Sequence, residues 1–107
     1  FPPNQVANEV YPFAEILCND IRIANTCSNP VFFMTWGREN GDNQNCQFYE
    51  PLCTYEGMQD RLIESYTEMA EMNNSMLAPV GIAWKNHGHR CSDYRVGDHR
   101  SSRWVGF

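Results

Sequence analysis

The sequence predicts an α/β fold with short parallel strands, and three features lead to this prediction. Residues 31–34 are apolar without alternation, which is typical of a strand covered on both faces. Two stretches of helical periodicity and a second short apolar segment complete the order helix, strand, helix, strand. That order favours a parallel sheet with right-handed crossovers. Because two strands are too few for a stable parallel sheet, we interpret residues 1–107 as one partial domain of a larger α/β/α unit.

The first helical pattern covers residues 5–24. Its apolar residues recur at the spacing of an amphipathic helix. They are Val6, Val10, Phe13, Leu17, Ile21 and Ala24. Pro12 interrupts the pattern, so the helix either kinks there or begins near Tyr11. The polar stretch that follows, residues 25–30, ends in a proline and predicts a loop.

The first predicted strand, residues 31–35, changes abruptly into polar and aromatic residues. In open α/β sheets, ligands bind just beyond the carboxyl ends of the strands. The change therefore predicts one edge of a binding crevice, with Trp36 and Arg38 as candidate substrate-binding residues. The alternative is a surface loop in which Arg38 contacts Asp42 and Trp36 packs underneath.

A long polar loop is predicted at residues 37–53, and loops of that length in compact domains are usually functional or disordered. Thr54 then stands at the N-cap of a second helix, with Glu56 in the first turn. Residues 73–75 end this helix and also form an N-glycosylation sequon, a triplet that is frequent by chance. The second strand is predicted at residues 76–80. The apolar stripe of the second helix, which we assign to core packing, is Met58, Leu62, Tyr66 (or Ile63) and Met69.

Charge and hydropathy exclude two classes of partner. The formal net charge of −5 gives no electrostatic basis for binding nucleic acid or an anionic membrane. No apolar run approaches the length of a membrane span. The composition, with 42% hydrophobic and 20% charged residues, is that of a globular domain.

The cysteine content favours an oxidising compartment. Five cysteines are many for an intracellular domain of 107 residues. Cys46 and Cys53 bracket a short loop that contains Pro51, and they are the favoured disulfide; free thiols are the alternative. Cys18 is the best candidate for an unpaired thiol because it lies in a helical pattern. We therefore expect a secreted or periplasmic protein.

Four blocks of the chain resemble the C-terminal half of SGNH-type (GDSL-like) hydrolases, in particular secreted bacterial members. The blocks are Phe-Met-Thr-Trp-Gly-Arg at residues 33–38, Gly-Asp at 41–42, Cys-Thr-Tyr-Glu-Gly-Met at 53–58 and Ala-Pro-Val-Gly-Ile-Ala-Trp at 78–84. The resemblance implies a flavodoxin-like fold and a serine esterase or acylhydrolase acting on small-molecule esters. It also implies an N-terminal serine nucleophile, an oxyanion hole and a C-terminal Asp-x-x-His.

The chain departs from the family pattern at both ends. The Gly-Asp-Ser and Gly-x-Asn-Asp blocks have no counterpart. His99 occupies the position of the catalytic base, but the carboxylate three residues earlier is replaced by Val96. A valine cannot orient the imidazole or stabilise its charged form. Residues 85–107 lack apolar periodicity and are predicted to form an irregular tail.

A metal site is the weaker interpretation of the C-terminal histidines. His87, His89 and Cys91 with Asp93 have suitable ligand chemistry, but no second pair of ligands accompanies them. We expect no metal and no cofactor.

The sequence thus supports a fragment of an SGNH-type esterase that is inactive alone. The alternative is a small secreted binding module that is stabilised by disulfides and carries no catalytic function.

Overall fold

The computed structural model describes residues 1–94, with side chains described for residues 1–87. Within this part of the chain, four α-helices, a short 3-10 helix and two β-strands form a mixed α/β structure. The elements are α1 (Pro3–Glu9), α2 (Tyr11–Ala24), β1 (Val31–Phe33), the 3-10 helix (Glu50–Cys53), α3 (Tyr55–Met72), β2 (Met76–Ala78) and α4 (Val80–Tyr94).

The strands pair in parallel, as predicted. Val31 is opposite Met76 and Phe33 is opposite Ala78. Both strands are shorter than predicted, since β1 ends at Phe33 and Val80 begins α4 instead of ending β2. The N–H of Gly81 donates to the carbonyl of Met34 at 3.0 Å, and this bond joins the first turn of α4 to the end of β1.

The first predicted helix is divided into α1 and α2 at Val10. Pro12 lies in the first turn of α2, where a missing N–H breaks no helical hydrogen bond. The helix therefore begins at Tyr11, one of the two predicted arrangements, and a short helix precedes it.

α2 buries a different face from the predicted apolar stripe. Tyr11 and Cys18 are buried, whereas Phe13 is 66% exposed and Leu17 is 61% exposed. Residues three, four and seven positions apart share one side of a helix, so Tyr11, Ala14 and Cys18 form the packed side. The stripe on the other side has no cover among the described residues.

A small core joins the first two helices to α3 and β1. Val6, Tyr11 and Met69 are buried together. Phe32 packs against this cluster, as do Val10, Ala14 and Tyr66. The hydroxyl of Tyr11 donates to Glu68 Oε2 at 2.8 Å, so the polar tip of this buried ring is satisfied.

Only one face of the sheet is covered by the described residues. Phe32 points into the core, but Val31 is 53% exposed, Phe33 is 56% exposed and Met76 is 60% exposed. Alternate residues of a strand point to opposite faces, so these three side chains share the outer face. The prediction of a strand covered on both faces is therefore wrong for the described part of the chain.

Both ends of α3 are fixed by side chains. The hydroxyl of Thr54 accepts a hydrogen bond from the N–H of Gly57 at 3.0 Å, which confirms the predicted N-cap. At the other end, the guanidinium of Arg22 donates to the carbonyl of Asn74 and to the hydroxyl of Ser75. Asn74 adopts a positive φ of 49°, a conformation that asparagine tolerates better than most residues.

The prediction of an irregular tail from residue 85 is wrong for its first part, because α4 continues through Val80–Tyr94. The remainder, residues 95–107, lies outside the described residues. Among the described helices, none is long and apolar enough to cross a membrane.

Candidate functional site

The carboxyl ends of both strands meet at one edge of the sheet. β1 continues into residues 34–37 and β2 continues through Pro79 into α4. The N–H of Met34 donates to the carbonyl of Ala78 at 3.0 Å, which keeps the two chain segments together beyond the paired strands. This carboxyl edge is where the fold class places ligands.

Gln59 organises the backbone at the carboxyl edge. The side chain extends from α3 and is fully buried. Its Oε1 accepts a hydrogen bond from the N–H of Gly37 at 3.0 Å, and its Nε2 lies 3.5 Å from the carbonyl of Thr35. One amide group thus satisfies both a donor and an acceptor of the segment that leaves β1.

Close packing at this edge requires glycine at two positions. A Cβ on Gly37 would lie 2.9 Å from the Cβ of Met58, and a Cβ on Gly81 would collide with the carbonyl of Thr35 and with Nε2 of Gln59. The resemblance blocks include both glycines, but their packing role was not predicted. Gln59 was not predicted as a site residue either. The signal that could have identified it is a polar residue next to Met58, at the apolar stripe of α3, because a polar side chain buried there needs a hydrogen-bond partner.

Trp36 stacks on Trp84 at the carboxyl edge. The ring centroids are 5.3 Å apart and the ring planes differ by 25°. Both residues are half-buried. Each indole covers one face of the other. The outer faces and edges of the two rings form an apolar surface, here called the indole wall, of the kind that contacts acyl chains and sugar rings. The structure therefore brings Trp36 together with a partner from α4 that the sequence did not predict.

Arg38 lies beyond the wall and contacts Asp42. The guanidinium and the carboxylate are 3.5 Å apart, and the Arg38 side chain remains 63% exposed. A hydrogen bond from the Asn45 side chain lowers the pKa of Asp42; the N–H groups of Asn45 and Gln44 and the charge of Arg38 add to this effect. The Arg38–Asp42 contact, which the sequence offered as an alternative to a binding role for Arg38, is therefore present. It leaves most of the guanidinium in solvent.

The predicted disulfide between Cys46 and Cys53 is confirmed. It closes the end of the long loop, and the N–H of Asp42 donates to the carbonyl of Leu52 at 2.7 Å across this loop. Phe48 lies inside the disulfide ring and is 77% exposed. Cys18 is a buried free thiol, as predicted, and Cys27 is an exposed free thiol.

A shallow cavity, largely open to solvent, lies at the opposite, amino edge of the sheet. Its volume is about 470 Å³. The residues around it precede β1 or β2 or end α2: Arg22, Thr26, Cys27, Ser28, Asn29 and Asn74. It is thus separate from the crevice edge predicted at Trp36 and Arg38.

The described residues do not assemble a catalytic triad. His99, the candidate base, lies outside the described residues. Ser28 and Ser75 precede the strands and so belong to the amino edge, and Ser65 is buried against Arg61. Within the described residues, no cluster of histidine, cysteine, aspartate and glutamate could hold a metal ion.

The sequon residue Asn73 is not an accessible acceptor. It is only 7% exposed, and its side-chain amide donates to the carbonyl of Met69 at 2.8 Å. Glycosylation would require this hydrogen bond to break and the end of α3 to unfold.

Comparison of this chain with protein-family models, with curated proteins and with solved structures finds no match.

Proposed function

We propose that this chain forms the substrate-binding half of an SGNH-type ester hydrolase unit outside the cytoplasm. In this proposal the described elements belong to a three-layer, flavodoxin-like α/β/α domain. The observation that carries the proposal is the stack of Trp36 on Trp84 at the carboxyl edge of a parallel strand pair.

The position of the indole wall supports binding of a small ester. The backbone beneath it is held by the buried Gln59 amide, so little conformational entropy would be lost when a ligand binds. An acyl chain or an acetylated sugar ring would lie on the wall. The exposed Arg38 guanidinium would donate a hydrogen bond to an ester or hydroxyl oxygen.

The chemical step needs a serine and a base that the described side chains of the carboxyl edge do not supply. Ester hydrolysis of this class requires a hydroxyl nucleophile, an adjacent base and donors for the developing oxyanion. None of the serines among residues 1–87 lies at the carboxyl edge. In the proposal His99 is the base, and the chain alone binds esters without turning them over.

Turnover can be measured with p-nitrophenyl butyrate. The chain should release p-nitrophenol no faster than its His99→Ala variant does. Faster release that His99→Ala abolishes would show that the chain contains its own nucleophile and would contradict the proposed inactivity.

Binding can be followed by tryptophan fluorescence in a Trp104→Phe background, so that the signal comes from Trp36 and Trp84. Glucose pentaacetate should produce a saturable change, whereas glucose at the same concentrations should not. Trp36→Leu should abolish the response, and Arg38→Gln should weaken it. An equal response to glucose would contradict ester recognition.

A second function, a secreted binding module without catalysis, is favoured by the disulfide loop that presents Phe48 to solvent. The disulfide also supports an oxidising compartment for either function. Thiol titration of denatured protein made in an oxidising compartment tests this candidate. Five reactive thiols per chain would remove its structural basis, because the sequence has five cysteines.

A further inference from the structure

The loop that carries Arg38 has few attachments to the rest of the described structure. It consists of residues 38–49 and is here called the Arg38 loop. Every backbone hydrogen bond between this loop and the other described residues involves Leu52. The carbonyl of Leu52 accepts from the N–H of Asp42 at 2.7 Å, and its N–H donates to the carbonyl of Tyr49 at 3.0 Å. The hydrogen bonds that the Asp42 carboxylate accepts all come from within the loop.

The disulfide is the covalent attachment of the Arg38 loop. It joins Cys46, which lies in the loop, to Cys53, the last residue of the 3-10 helix. Gly41 of the loop also packs closely against the carbonyl of Cys53. The 3-10 helix is itself held tightly against α3, since a Cβ on Gly57 would collide with the carbonyl of Pro51. Cys53 therefore keeps its position on α3, and the disulfide restrains the Cys46 side of the loop.

The disulfide is accessible to a reductant, and the core does not depend on it. Cys46 and Cys53 are half-buried, and the residues on either side of Cys46, Asn45 and Gln47, are exposed. Thiols reduce exposed disulfides more readily than buried ones. The two cysteines are separated by 7 positions within one loop, whereas the core is formed by α1, α2, α3 and β1. We therefore expect reduction to release the loop and to leave the core folded.

We propose that the Cys46–Cys53 disulfide is a redox switch for the Arg38 loop. The oxidised form holds the loop against the start of α3, and reduction by a dithiol releases it. A thiolate of the dithiol attacks one sulfur, the S–S bond breaks, and a mixed disulfide forms. The second thiol of the dithiol then displaces the cysteine from the mixed disulfide. Cys46 and Cys53 gain two electrons and two protons, and the dithiol is oxidised to a disulfide.

Release of the loop changes the position of Arg38 but not that of the indole wall. The N–H of Gly37, directly before the loop, stays bonded to the side chain of Gln59. Asp42, which contacts the Arg38 guanidinium at 3.5 Å, loses its fixed position when its hydrogen bond to Leu52 opens. The guanidinium is then no longer held at a set distance from the wall. The effect of this change on ester binding rests on the proposed function, whereas the release of the loop does not.

Nuclear magnetic resonance of labelled protein with and without dithiothreitol tests the release of the loop. Reduction should shift the backbone amide signals of Asp42 and Cys46 towards the values of an unstructured chain. The amide signal of Gly37 should stay in place, because its acceptor lies on α3. Removal of dithiothreitol and reoxidation in air should restore the original spectrum.

The matched control is the double variant Cys46→Ser with Cys53→Ser. Its spectrum should resemble that of the reduced wild type and should not respond to dithiothreitol, which separates this disulfide from the other cysteines. The proposal would be overturned if the Asp42 signal did not move on reduction. It would also be overturned if the whole spectrum collapsed to that of an unfolded chain, or if the double variant responded to dithiothreitol as the wild type does.

Ester binding tests the link between the disulfide and Arg38. Reduction should weaken the binding of glucose pentaacetate, followed by tryptophan fluorescence, by about two- to tenfold, which corresponds to the loss of one hydrogen bond. Arg38→Gln should remove the difference between the oxidised and reduced forms. Equal affinities of the two wild-type forms would show that the switch does not control Arg38. If reduction releases the loop but neither form binds the ester, the proposed function is wrong and the switch stands.

Discussion

The fully buried side chain of Gln59 accepts a hydrogen bond from the backbone N–H of Gly37 at 3.0 Å. This contact joins the first half of α3 to the segment that carries Trp36. Since an apolar side chain could fill the same space but could not accept the bond, the contact explains why a polar residue lies on the inner side of α3.

Gln59→Leu should lower the free energy of unfolding by about 1–3 kcal/mol, because the N–H of Gly37 would then be buried without an acceptor. Urea denaturation measures the change. Gln44→Leu is the matched control, since the Gln44 side chain is exposed and the substitution should change stability by less than about 0.5 kcal/mol. Equal effects of the two substitutions would show that Gln59 has no special structural role.

Gly81→Ala should destabilise the protein even though alanine is the better helix former by about 1 kcal/mol. The added Cβ would collide with the backbone carbonyl of Thr35, which cannot move without disturbing the end of β1. We expect a net loss of about 1–3 kcal/mol in thermal or urea unfolding. Asn86→Ala, at an exposed position of the same helix, should be neutral or slightly stabilising. A Gly81→Ala variant as stable as the wild type would contradict the packing described at this edge.

Replacing both Cys46 and Cys53 by serine should cost about 2–3 kcal/mol, because the short ring no longer limits the unfolded chain. Cys27→Ser removes an exposed free thiol and should have no measurable effect. The variants are first compared with the wild type by urea denaturation without reductant, and the denaturation is then repeated with dithiothreitol. If dithiothreitol destabilises the double variant as much as the wild type, the stabilisation does not come from this disulfide.

Stability should fall in alkaline solution as Tyr11 ionises. Burial, and then the hydrogen bond donated to Glu68, raises the pKa of Tyr11 to about 12 from its ordinary value of 10.0. A pKa that is higher in the folded state stabilises the protein below the unfolded value, and this contribution is lost as the pH rises from about 10 to 12. Tyr11→Phe should flatten the decline in unfolding free energy over that interval. An unchanged decline in Tyr11→Phe would contradict this assignment.

Local sequence signals predicted a helix cap, a disulfide and the pairing of the two strands. Thr54 was identified as an N-cap because a side-chain oxygen at that position satisfies a helical N–H, and it does so. The Cys46–Cys53 disulfide followed from two cysteines that flank a short loop. The parallel pairing of β1 and β2 followed from the alternation of helices and strands.

The features of the fold that the sequence did not predict depend on the way the elements pack and extend. α2 has apolar residues on two sides, and periodicity alone could not indicate that Tyr11, rather than Phe13, would be buried. Residues 85–94 are helical although their apolar periodicity is weak, because a helix that begins at Val80 can extend without a strong stripe. The Trp36–Trp84 contact joins residues from separate elements, so no local pattern could reveal it.

The most direct test of the central claim is to locate the bound ester by nuclear magnetic resonance. Glucose pentaacetate is titrated into isotopically labelled protein, and glucose is the control ligand. The claim that the carboxyl edge binds esters predicts shifts at the indole N–H groups of Trp36 and Trp84 and at the backbone amides of Gly37 and Gly81. Shifts confined to the amino-edge cavity around Thr26 and Asn29, or no saturable shifts, would contradict it.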